Sequence, residues 1–119
     1  MNSLEILSNL DAIIAKYRIK YVFVESGKAS LDSFYGELGW LDEEGNPNEE
    51  GLIEIDPDWH YAVELSWGSG LEDEYDFTFL SFGKTLSGAF ESALGTYRMN
   101  AKIPGSKAHK HAMQYGIVD

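Results

Sequence analysis

The chain has 119 residues and a formal charge of −11; 44% of its residues are hydrophobic and 13% aromatic, and it has no cysteine. That length, with no internal repeat, fits one domain, and the apolar content is enough for a buried core, which excludes a disordered acidic tail. The lack of cysteine excludes disulfide frameworks and thiolate metal sites and points to a reducing, cytoplasmic setting, while the acidity argues against direct binding to nucleic acid or to an anionic membrane.

The opening MNSLEILSNLDAIIAKYR lacks the basic start and continuous apolar run of a signal peptide, and no stretch approaches the roughly 20 apolar residues of a membrane span. Residues 3–17 read instead as an amphipathic helix. Ile6, Leu7, Leu10, Ile13, Ile14 and Tyr17 recur at helical spacing, with Asn2 or Ser3 as cap and Glu5 as capping-box partner. Residues 19–24, IKYVFV, are β-branched and aromatic and read as a strand. ESGKASLDSFYGELG, residues 25–39, is compatible with loop, short helix or strand. EEGNPN has turn chemistry, because glycine tolerates positive φ and Pro47 does not fit a central strand. A hairpin is expected there, with strands near 37–42 and 51–56, the second ending at Pro57.

HYAVELSW places Tyr61, Val63, Leu65 and Trp67 on one face and His60, Glu64 and Ser66 on the other. YDFTFLSF alternates likewise, with Tyr75, Phe77 and Phe79 opposite Asp76 and Thr78. Two alternating runs around the turn-forming GSGLED predict an antiparallel hairpin. In KTLSGAFESALGTYRM, Leu86, Ala89, Phe90, Ala93, Leu94 and Tyr97 form a helical stripe capped by Thr85. Pro104 and Gly105 then divide a domain at 1–103 from a short basic segment, 104–119, with one or two helical turns. The fold expected is α+β: an antiparallel meander sheet of about four to five strands, two amphipathic helices packed on one face, and the other face wet.

Charge is segregated along the chain. Between Ala29 and Gly83 there are fifteen Asp and Glu and no Lys or Arg. Outside that window five acids face nine bases, and −15 with +4 gives −11. Soluble surfaces usually intersperse the two signs. Like charges about 4 Å apart repel by roughly 1 kcal/mol in water and by more near a low-dielectric surface, so the arrangement costs stability. Solubility is one explanation of such loops. Partner binding is the other, and its candidate residues are Asp42, Glu43, Glu44, Glu49, Glu50, Glu54, Asp56, Asp58, Trp59, Glu64, Glu72, Asp73, Glu74 and Asp76. On the expected sheet, Glu54, Asp56, Glu64 and Asp76 project from the wet face while the others crowd its loops. Rows of carboxylates on adjacent strands would approach the charge spacing of a duplex and complement a basic groove. Trp40 and Trp59 flank this region as partly exposed interface anchors, and Trp67 belongs to the core row.

Other chemistry has weaker signatures. From Asp42 the acids and amides alternate as in a calcium loop, but Pro47 stands where glycine is required and Ile53 where the bidentate glutamate belongs. His109 and His111, two apart, do not share a helix face, and Lys107 and Lys110 disfavour a cation, so a solvated tail is expected there. FGKTLSG lacks the earlier glycine of a phosphate loop. His60 and Glu64 lie on one side of a strand and offer an acid–base pair. No cofactor is expected.

In size, lack of cysteine and the acidic segments LDEEGNPNEEGLIEID and LEDEYD, the chain resembles small acidic phage anti-defence proteins (anti-CRISPR and anti-restriction proteins, some of them DNA mimics), and also bacterial immunity proteins that neutralise nuclease toxins. The resemblance implies a non-enzymatic protein whose carboxylates occupy the basic site of a nucleic-acid-binding protein or nuclease, acting as a monomer or small homo-oligomer. The alternative from another class is a small enzyme using His60 and nearby carboxylates.

Overall fold

The computed structural model describes residues 3–68 and 77–117. The elements are α1 (Ser3–Tyr17), β1 (Tyr21–Ser26), α2 (Lys28–Glu37), α3 (Glu49–Glu54), β2 (Tyr61–Trp67), β3 (Phe77–Gly83), α4 (Leu86–Ala101) and α5 (Lys107–Tyr115). The three strands form one antiparallel sheet in the order β1-β2-β3. Tyr21 pairs with Ser66 and Ser26 with Tyr61, while Trp67 pairs with Phe77 and Tyr61 with Gly83. The fold is therefore α+β with an antiparallel sheet, as expected. Among the described residues it has three strands rather than four to five, and five helices.

The missing strands are those of the expected 37–42/51–56 hairpin. Only a single bridge, Leu41 to Pro47, joins the two sides of that loop. The Asp42 carboxylate accepts from the backbone N–H of Glu44 and of Asn46 and closes the turn. Asn48 then caps α3, its Oδ1 accepting from Gly51 N–H at 2.9 Å. Glu49 and Glu50 occupy the first turn, where the helix dipole favours negative charge. Gly51 is buried against the Trp40 carbonyl, where any Cβ would overlap the oxygen. Cap, dipole and this close approach outweigh the period-2 pattern of LIEID.

β2 sends its side chains to two different cores. Val63, Leu65 and Trp67 enter the larger one with Ile13 and Tyr17 of α1, Phe90, Ala93, Leu94 and Tyr97 of α4, and Ala108 of α5. Trp67 is fully buried, stacks on Tyr97 at 4.5 Å and donates from Nε1 to the Tyr17 carbonyl. Thr85 caps α4 as expected, accepting from Gly88 N–H. On the opposite face Ala62 meets Leu31 and Tyr35, with Phe34, Trp40, Trp59, Leu80 and Phe82 around them. That face is not wet throughout: α2 and the loops beside it cover one end. Its uncovered end shows Tyr21 and Phe23, stacked at 5.8 Å.

The C-terminal segment is not a solvated tail. α5 is capped by Ser106, ends at Gly116 in the left-handed region, and buries Ala108, His111 and Ala112. It packs on α4, with His111 Nδ1 and the Tyr97 hydroxyl 2.9 Å apart. No helix among the described residues is long and apolar enough to cross a membrane.

Candidate functional site

α2 sets the geometry of the acidic region. Leu31, Phe34, Tyr35 and Leu38 recur at i, i+3, i+4 and i+7, and the first three pack on the sheet. The helix ends in a Schellman motif: Trp40 N–H donates to Tyr35 O, Gly39 N–H donates to Gly36 O, and Gly39 has φ of 77°. The hydrophobic contact that accompanies the motif is Trp40 on Tyr35, with ring centroids 6.0 Å apart. After this turn Trp40 and Leu41 pack into the second core, and residues 41–48 form a loop that shares a cleft with α2 rather than a strand of the sheet.

Asp42, Glu43, Glu44, Glu49, Glu50, Glu54 and Asp58 are exposed, and Asp56 is half-buried. Among the described residues, the ion pair seen in this stretch is Asp58 with Lys84 at 3.6 Å, both ends solvated, which contributes little. Glu54 and Asp56 lie in α3 and the loop after it, not in a strand row. Glu64 does project from the second sheet face, beside Phe23 and Leu80 in register. Glu72, Asp73, Glu74 and Asp76 lie outside the described residues. The expected rows of carboxylates on neighbouring strands are thus replaced by a loop-and-helix ridge, because α3 forms where a strand was expected.

α3 carries a feature hidden by the strand reading. Leu52 is 74% exposed and Ile53 81%. At helical spacing Glu49 lies one turn before Leu52, and Glu50 one turn before Ile53. Trp40 and Trp59 are half-buried as expected, but as parts of the second core: Trp59 stacks on Phe82 at 4.9 Å.

Between α2, the 45–47 turn and the 55–60 loop lies a cleft of about 420 Å³. Leu31, Leu41, Pro47 and Ile55 make its apolar walls, and Lys28, Asp32, Tyr35, Asp56, Trp59 and His60 bring polar groups and an indole to it. Tyr35 is only 5% exposed, and its hydroxyl has no hydrogen-bond partner among the described residues. Burial, then the negative charges of Asp32 and Asp56, push its pKa up to about 12. Lys28, Asp32 and Tyr35 were not found from sequence; the 31/34/35/38 spacing would have identified α2 and placed Asp32 and Tyr35 one turn apart.

The arrangement restricts the chemistry. His60 and Glu64 are four residues apart along an extended segment, about 13 Å, too far for a proton-sharing pair. The carboxylates that share the cleft with His60 are Asp32 and Asp56. Among the described residues no group of three or more His, Asp and Glu is placed to hold a metal ion, and Asp42 spends its carboxylate on its own turn. No family model matches the sequence, and no curated protein or solved structure matches it.

Proposed function

We propose that this is a non-enzymatic binding protein that inhibits a basic nucleic-acid-processing protein of the phage anti-defence type, with the ridge from Asp42 to Trp59 docked on the target's basic surface. The observation that supports it is the pairing of Leu52 and Ile53, 74% and 81% exposed, with carboxylates in a six-residue helix. A surface built for solubility alone gains nothing from two exposed aliphatic side chains. An interface gains an apolar centre within a charged rim, the rim steering encounter and the centre being desolvated on contact. An immunity protein against a nuclease toxin would use the same ridge, and differs in having its target encoded beside it.

The test replaces Glu43, Glu44, Glu49 and Glu50 with Gln and, separately, Leu52 and Ile53 with Ser. Target is first recovered from host lysate with the tagged wild-type protein under a salt gradient. Exposed charge pairs contribute roughly 0.2–1 kcal/mol each, so the Gln variant should bind ten-fold or more weakly, with a flatter salt dependence and an unchanged fold. The Ser variant should lose affinity at all salt concentrations. Equal affinity of both variants and wild type would remove the ridge from the interface.

A second reading, a small enzyme, is favoured by one observation: His60, Asp32 and Asp56 line a common cleft. It requires a pH-dependent activity that disappears in His60→Ala and persists in the Gln variant.

A further inference from the structure

The cleft beneath the ridge combines apolar walls with a small set of charged and aromatic groups. Two carboxylates, Asp32 and Asp56, and one ammonium, Lys28, are among its lining groups. Tyr35 also lines it, with its side chain almost fully buried and no hydrogen bond to another described residue. Its hydroxyl lies at the cleft wall, because the two carboxylates whose charges act on it both line that cleft. Trp59 supplies an indole already fixed by stacking on Phe82. The Tyr35 ring is held in the second core while its oxygen, open to the cleft, keeps its hydrogen-bonding capacity for a ligand.

We propose that the cleft seats one arginine side chain of the docked protein. The proposal rests on the docking reading for the source of that arginine. The guanidinium is planar, carries five N–H donors in a fixed fork, and stacks on aromatic faces. In this cleft its N–H groups meet the Asp32 and Asp56 carboxylates and the Tyr35 oxygen, and its plane lies against Trp59, where a cation gains further attraction from the ring. A lysine ammonium is a compact, strongly hydrated charge and uses less of this arrangement. The volume, about 420 Å³, falls at the small end of the roughly 300–1,000 Å³ typical of ligand pockets, which suits one long side chain rather than a length of polymer. Basic nucleic-acid-binding surfaces are rich in arginine, so the site would convert a diffuse charge attraction into a registered one.

The experiment is a titration of the isotopically labelled full chain with N-acetyl-arginine amide, followed through its backbone amide signals. N-acetyl-lysine amide and the neutral isostere N-acetyl-citrulline amide are the comparisons. Support is a saturating shift, in the millimolar range, confined to residues 28–35, 45–47 and 55–60, about five-fold weaker for lysine and absent for citrulline. Asp56→Asn and Tyr35→Phe should each weaken arginine binding roughly five- to ten-fold, with the signals of the Trp67 core unchanged as a control for folding. No shift at the cleft, or equal shifts from citrulline or lysine, would overturn the assignment. The probe is a small molecule and needs no target, so its failure is separable from failure of the ridge to bind a basic protein. In the Gln variant of Glu43, Glu44, Glu49 and Glu50, target binding should weaken while arginine-amide binding persists.

Discussion

The two faces of the sheet are covered to different degrees, and β2 shows why. Toward α1, α4 and α5 it presents Val63, Leu65 and Trp67, all fully buried. Toward α2 it presents Ala62, Glu64 and Ser66, of which only alanine is apolar. Three large apolar groups justify three helices over the first face. One alanine, helped by Leu80 and Phe82 from β3, holds a single helix and a set of loops over one end of the second. The first face is closed over Val63, Leu65 and Trp67 and carries the larger core. The second leaves a cleft, an acidic ridge and two exposed aromatic rings.

The largest expected effect tests which face bears the stability. Trp67→Ala should cost about 3–5 kcal/mol, through the cavity beside Tyr97 and the lost bond to the Tyr17 carbonyl. Trp59→Ala, which empties a half-buried place in the second core, should cost less. Urea unfolding of both variants checks the order, and a larger loss for Trp59 would reverse the comparison.

The same contrast explains what the sequence disclosed. α1, the β2–β3 pairing and α4 were legible because their apolar residues recur with one clear period: Val63, Leu65 and Trp67 at every second position, Phe90, Ala93, Leu94 and Tyr97 at helical spacing. The second face was misread at its decisive segment. LIEID alternates as a strand does, and nothing in its composition reports that Gly51 lies under the Trp40 carbonyl, a contact fixed by the Schellman turn at the end of α2. Leu52 and Ile53 therefore passed as members of a sheet, and their exposure on a ridge was hidden. The cleft was hidden for a related reason, since Asp32 and Asp56 are far apart in the chain and meet only once α2 is formed. The acidic character of the ridge needed no tertiary information, so its carboxylates could be listed from the sequence although their scaffold was misread.

Gly51→Ala comes next in size and separates the two faces. The added methyl overlaps the Trp40 carbonyl oxygen, and overpacking of this kind costs about 1–3 kcal/mol. The damage should remain on the second face. Amide signals of residues 38–60 should shift while those of α1 and α4 hold, and thermal unfolding should begin earlier. Equal disturbance of both faces would show that the sheet couples them rigidly.

The smallest effect on stability should come from Tyr35→Phe, and it is the most informative about the cleft. The hydroxyl has no partner to lose among the described residues, so near neutral pH the substitution should change stability by no more than about 0.5 kcal/mol. The difference should emerge in alkali. In the folded chain the Tyr35 pKa is pushed up to about 12 from 10.0 by burial first and then by Asp32 and Asp56. The folded state therefore holds this proton more tightly than the unfolded chain does. The resulting contribution is complete below pH 10 and is lost as pH rises from 10 through 12. The other tyrosines are common to both proteins, so subtracting the variant's curve isolates Tyr35. Wild type should lose stability faster than Tyr35→Phe across that interval, as read from urea midpoints at successive pH values. Parallel curves would mean that the hydroxyl is as hydrated as in the unfolded chain, and the cleft would then lack the buried polar group on which arginine recognition depends.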